Sequence, residues 1–180
     1  MVRISQIDYD KASAAVQAAH DEEVRLRGRM TNMKRIMLHS PAAHSIYAEW
    51  FTLRELLRPA IDDRAIWLLC LGIGGESNAE IPVGFFRRAL ISNGLQPEDI
   101  VPDENEADLI AFGKAVVRDS NAVPDELWNK LATRYDEATL VNLVAFIGIM
   151  IATAIFTNVV QVDFDAELEI YRKPAAGKAK

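Results

Sequence analysis

The sequence predicts an all-α protein, a multi-helix bundle, on three observations. Apolar residues recur at three- and four-residue spacing, capping residues punctuate those runs, and no alternating stretch of strand length stands out. The 180 residues are 50% hydrophobic and 26% charged, a globular composition at a length that suits one domain. Residues 1–173 are expected to form that domain, with 174–180, opening on Pro174, as a flexible tail.

Ala12, Ala15, Val16, Ala19 and Leu26 share one face of a first helix that ends near Gly28. Its apolar face is mostly alanine, so it should pack peripherally. A short helix over Met33 to Leu38 follows. Ser40 then caps a helix with Pro41 at its first position, where the missing N–H costs nothing. Ile46, Trp50, Leu53 and Leu57 continue that helix to Pro59, with Tyr47 and Phe51 widening its stripe. Asp62 or Asp63 caps the next, which runs through Ile66, Trp67, Leu69 and Cys70 towards the glycines at 72, 74 and 75. A further helix covers about Asn78 to Asn93, begun or kinked at Pro82, with Gly94 as its left-handed terminal residue.

Asp103 and Glu106 have the spacing of a capping box, with Leu109, Phe112 and Val116 behind it. Pro124 opens a short helix with Asp125 and Glu126 early and Lys130 and Arg134 late, the order that complements the helix dipole. Asp136 caps a long helix free of charge from Ala138 to Val162. The segment from there to Tyr171 alternates weakly and reads as extended.

Charge and cysteine content exclude several functions. A net charge of −6 argues against nucleic acid as the primary partner, because phosphate binding needs a basic surface. The Met1–Tyr9 start lacks a signal-peptide core, so the expectation is cytoplasmic. The uncharged helix is long enough to cross a bilayer. Polar Asn142, Thr153, Asn158 and Gln161 within it, and Asp163 and Asp165 after it, favour a buried soluble helix and no membrane.

A single cysteine, Cys70, has no disulfide partner within the chain and sits among leucines, where a thiol is inert. His39 and His44 are five apart, off one helical face, so no metal and no cofactor is expected. Leu68–Gly75 could instead be a strand entering a phosphate-cradling loop, but Ser77 stands where the third glycine of that pattern belongs.

Candidate chemistry gathers after those glycines. Glu76 and Glu80, four apart, could share a helical face as an acid–base pair, catalytic by their proximity. Arg87 or Arg88 could point the same way and hold an anionic substrate. His44, in the first turn of the aromatic helix, joins them as a substrate-binding candidate if it faces a cleft. The bland alternative is that the two acids are solvated at a helix start.

Several stretches, spread over residues 30–165, resemble the carboxymuconolactone decarboxylase family, which includes the alkylhydroperoxidase D-like proteins. They are His39-Ser-Pro41 with its aromatic helix, Asp63-Arg64 entering an apolar helix, and Phe85-Phe-Arg-Arg-Ala-Leu-Ile-Ser-Asn-Gly-Leu95 with Pro97-Glu-Asp-Ile100. Leu109–Asp119 follows, and Val123-Pro-Asp-Glu-Leu-Trp running through Tyr135–Val144 matches best.

The resemblance implies an all-helical fold and a homo-oligomer, a trimer or hexamer, with a small-molecule ligand near subunit contacts. It also exposes departures. The redox branch uses Cys-x-x-Cys-x-x-x-His, and counting from Arg64 puts Ser77, Glu80 and Gly84 in those slots. Counting back from Gly94 puts Ala79, Pro82 and Phe86 there, and Ala65 follows Arg64 where relatives often carry glutamate. Dithiol peroxidase chemistry needs two thiols and is excluded. Two expectations remain: acid–base chemistry on a small carboxylated or lactone-type substrate, or a non-catalytic, oligomeric or ligand-binding member.

Overall fold

The structure, a computed structural model, describes residues 2–173. The tail expected at 174–180 lies outside them. Nine α-helices and two short 3-10 turns make up the regular structure of the described residues, and none of these is in a strand.

Gly28, Ser40, Asp62, Asp103 and Asp136 cap helices as the sequence predicts, and Ser13 and Thr31 are two caps it did not single out. Helix α1 (Ala14–Arg27) starts on Ser13 and ends on left-handed Gly28 at φ 73°. Its single buried residue is Glu23, so it is indeed peripheral. Helix α2 (Asn32–Met37) is capped by the Thr31 hydroxyl.

The one helix expected from Ser40 to Leu57 is two, α3 (Pro41–Ala48) and α4 (Trp50–Leu57). At their junction the Glu49 N–H donates to the carbonyl of Ile46, three residues back, which tightens the turn. Periodicity alone does not reveal such a break, because apolar spacing continues across it.

Helix α5 (Asp63–Glu76) is the centre of the molecule, capped by Asp62, with Ile66, Leu69 and Cys70 fully buried. It runs straight through glycines 72, 74 and 75, so neither the phosphate loop nor an earlier helix end is present. Helices α6 (Glu80–Ser92), α7 (Glu104–Arg118) and α9 (Glu137–Val160) surround it, with α8 (Asp125–Arg134) closing one end against α7 and α9. Pro82 lies in the first turn of α6, where no intrahelical N–H bond is needed, so the helix is not kinked there. The Asp103–Glu106 capping box at the start of α7 is complete in both directions. Gly113 on α7 lets it approach α5 closely: a Cβ there would lie 2.5 Å from Leu69 Cδ1.

Leu69, Leu109, Leu131, Leu143, Phe146 and Ile147 form the core between these helices. Helix α9 also packs along α4. The extended segment expected after Val162 is instead a 3-10 turn over Ala166–Tyr171, packed on α6 with Leu168 buried. The weak alternation there failed because one apolar side chain, Leu168, is all that the turn buries.

Candidate functional site

An apolar cavity of about 270 Å³ lies on the side of the bundle where α1 and α2 meet α4, α6 and α9. The C-terminal end of α1, the start of α2, and helices α4, α6 and α9 wall it, and Asp165 and Leu168 close one side. Trp50 and Phe51 supply its aromatic lining from α4, and Phe85 and Phe86 from α6. Trp50 and Phe51 stack at 3.9 Å between centroids, and Trp50 meets Phe85 edge-on at 6.3 Å. This interlocked cluster holds the walls rigid.

Four cations line the same cavity: Arg27, Arg29, Lys34 and Arg88. Each lies over an aromatic ring. The Arg27 guanidinium is 3.6 Å from the Phe51 centroid and Lys34 Nζ is 5.4 Å from it. Arg29 and Arg88 lie 5.2 and 5.1 Å from the Phe85 centroid. The rings attract the cations through their quadrupoles and keep them at the cavity.

Glu167 serves both Arg29 and Arg88, at 2.5 and 3.4 Å. Arg27 makes no ion pair among the described residues, so the rim keeps positive charge. Asp165 accepts the Asn32 N–H on Oδ1 at 2.7 Å, while its buried Oδ2 has no partner. Burial pushes the Asp165 carboxyl up from the usual range, against the pull of the Asn32 N–H.

Lys34 connects this cavity to a buried charge cluster. Its ammonium donates to Glu23 Oε1, and His44 Nε2 lies 3.4 Å from Glu23 Oε2. Glu23 and His44 are 4% and 7% exposed, so α1, α2 and α3 meet around a buried polar cluster. Burial lowers the Lys34 ammonium below its ordinary range, partly offset by Glu23. Burial likewise lowers His44, with Glu23 opposing and Lys34 adding to the shift.

The sequence candidates divide among different places. Arg88 lines the cavity, whereas His44 lies outside its lining, behind Lys34 and Glu23. Arg87, next along α6, is buried elsewhere and donates to Glu98 and to the Tyr171 carbonyl. Successive helical residues point about 100° apart, so the two arginines cannot both face one cavity.

Glu76 and Glu80 do not share a helix. Asn78, at φ 50°, separates the end of α5 from the start of α6. Glu76 makes a two-pronged pair with Arg118 at 2.6 and 3.1 Å, which holds its carboxyl below the usual range. Glu80 is exposed, pairs with Arg172 at 2.5 Å, and borders a separate polar groove with Asn78 and Asn158. Cys70 is fully enclosed in the core, where burial raises its thiol well above the ordinary value. No group of three metal-ligating side chains occurs among the described residues.

Phe85 and Phe86 were candidates to fill a site, whereas Arg27, Arg29 and Lys34 carried no role in the sequence. A signal was present: Arg25, Arg27, Arg29, Lys34 and Arg35 cluster within eleven positions of an acidic chain. Their convergence with Trp50 and Phe85 depends on tertiary packing.

An all-helical bundle with an aromatic, cation-rimmed cavity is thus the class of protein defined here. The same bundle is found in a cysteine-to-alanine variant of the debrominase Bmp8, solved in complex with 2,3,4-tribromopyrrole. The two align with a TM-score of 0.75 over 93% of this chain and 94% of that one, at 13% identity. No protein-family model and no curated protein matches the chain.

Proposed function

We propose that this chain is a divergent carboxymuconolactone decarboxylase-like protein that binds a small planar carboxylate, or a lactone that opens to one, for acid–base chemistry. The observation that carries this reading is the aromatic cavity with Arg27, Arg29, Lys34 and Arg88 at its walls. Aromatic faces favour a flat ligand, and the cations favour an anion on its edge. Its volume of about 270 Å³ is below the usual range for drug-sized ligands, roughly 300–1,000 Å³, which points to a small molecule. The fold relative's crystallised ligand, a brominated pyrrole, is likewise a small flat ring.

Glu76 and Glu80 lie outside this cavity, so the groups available for proton transfer in it are Lys34, with its buried partners, and Asp165. The missing cysteine pair and histidine favour a second reading, ligand binding without turnover, in the same cavity. The homo-oligomer implied by the family resemblance is supported by Val141, Val144, Ile155 and Val159, which α9 leaves exposed.

Benzoate and its neutral isostere benzamide provide the test, followed through tryptophan fluorescence because Trp50 lines the cavity. Benzoate should saturate the signal while benzamide binds at least about tenfold more weakly, the weight of a charge-assisted contact. Equal affinity for the two compounds would contradict an anion site. Release of product from a lactone panel separates turnover from binding alone.

A further inference from the structure

We propose that the cavity takes up a small carboxylic acid as its anion together with one proton, the anion on Lys34 and the proton on His44, with Glu23 as the link between them. This rests on the reading of the cavity as an anion site and adds the fate of the proton.

Glu23 is buried, and its two oxygens face two different groups. Oε1 accepts from the Lys34 ammonium, and Oε2 lies 3.4 Å from His44 Nε2. While His44 is neutral, Lys34 is the sole cation in contact with Glu23 among the described residues. Lys34 is also a cavity-wall cation, so a carboxylate entering there competes with Glu23 for the same three N–H donors. Glu23 then becomes a buried, under-compensated charge, a costly arrangement.

The group placed to relieve it is His44. Its Nε2 is buried and faces Glu23 Oε2 at 3.4 Å, so the imidazolium, which carries a hydrogen on both nitrogens, points an N–H at that carboxylate whichever nitrogen takes the added proton. In the free protein, burial and the positive charge of Lys34 hold His44 on its neutral side while Glu23 pulls the other way. A ligand anion beside Lys34 cancels part of that positive field and tips His44 towards imidazolium. Arg27 and Arg29, the other cations acting on Lys34, stay charged throughout and do not move the proton. Asp165 is the remaining cavity group able to gain a proton, and the variants below separate it from His44.

The experiment is calorimetric titration of benzoate into the wild-type protein near pH 7, in bis-tris and in Tris, two cationic buffers of different ionisation enthalpy. About one proton should be taken up per benzoate, and affinity should fall about tenfold per pH unit across the His44 window. In His44→Gln, benzoate should still bind, with the same heat in both buffers. In parallel, the imidazole nitrogens are followed by NMR, with His20→Gln and His39→Gln assigning the third histidine. His44 should move to imidazolium as benzoate saturates the wild type, a readout that stands even if His44→Gln does not fold.

Buffer-independent heat in the wild type, a His44 that stays neutral at saturation, or undiminished proton uptake in His44→Gln would each overturn the proposal while leaving the anion site intact. Absence of saturable benzoate binding would overturn the anion site and the proton linkage together.

Discussion

Buried ionisable side chains concentrate the chemistry of this molecule in a few positions. Glu23, Lys34 and His44 form one cluster, and its energetics are visible in stability as well as binding. Burial holds His44 below its ordinary value of 6.5, so between its folded value and 6.5 the unfolded chain binds a proton that the native one refuses. Stability therefore rises with pH through that window and is lost as pH falls below about 6.5. Thermal melts should show a steeper loss between about pH 7 and 5.5 for the wild type than for His44→Gln. Parallel slopes would mean that His44 titrates as it does in water.

At the cavity rim, Arg27→Ala and Arg88→Ala should each weaken benzoate by roughly tenfold. Arg87→Ala should leave benzoate affinity unchanged when measured on folded protein, because its guanidinium is committed to Glu98 and the Tyr171 carbonyl. Arg88 and His44 were visible in the sequence as residue types suited to anions and protons. Lys34 was not, since nothing local in Asn32–Met37 shows that Glu23 will be buried beside it.

Individual elements were legible where a local signal defines them. The Asp103 capping box, the Asp136 cap, Pro41 and Gly94 each act within a few residues, and each appears where the sequence places it. Asp103→Ala should cost about 1 kcal/mol by denaturant melt, the usual loss of an N-cap. The α3–α4 break at Glu49 left no local signal, whereas the α5–α6 break at Asn78 falls where the sequence begins a further helix and conflicts with pairing Glu76 and Glu80 on one face. The second of these separated Glu76 from Glu80, so a four-residue spacing that looked like one helical face became two unrelated ion pairs. Close helix packing is equally non-local. Gly113→Ala would press a methyl to 2.5 Å from Leu69 Cδ1 and 3.0 Å from Ile73 Cγ1. It should destabilise by about 1–3 kcal/mol, the range for overpacking a filled core. A neutral effect would mean that α5 and α7 can separate at no cost.

The whole molecule wraps its most apolar helix only in part. Helix α9 is 24 residues long and apolar enough to span a membrane, yet 39% of its most apolar window is buried inside the chain. Its packing against α4, α5 and α6 accounts for one side, and self-association is the account proposed for the other. Without detergent the protein should sediment well above the single-chain mass of 20.1 kDa. A monomer, or a protein soluble only in detergent, would contradict that. The fold class was readable because helical periodicity runs the length of the chain, whereas the cavity joins segments from Arg27 to Leu168 that only the assembled bundle brings together. The most direct measurement is a crystal structure with 4-bromobenzoate, whose bromine is located by anomalous scattering. The account predicts the ring between Phe51 and Phe85 with its carboxylate at Lys34 and the arginines. Bromine density in the polar groove beside Glu80, or none in the protein, would contradict it.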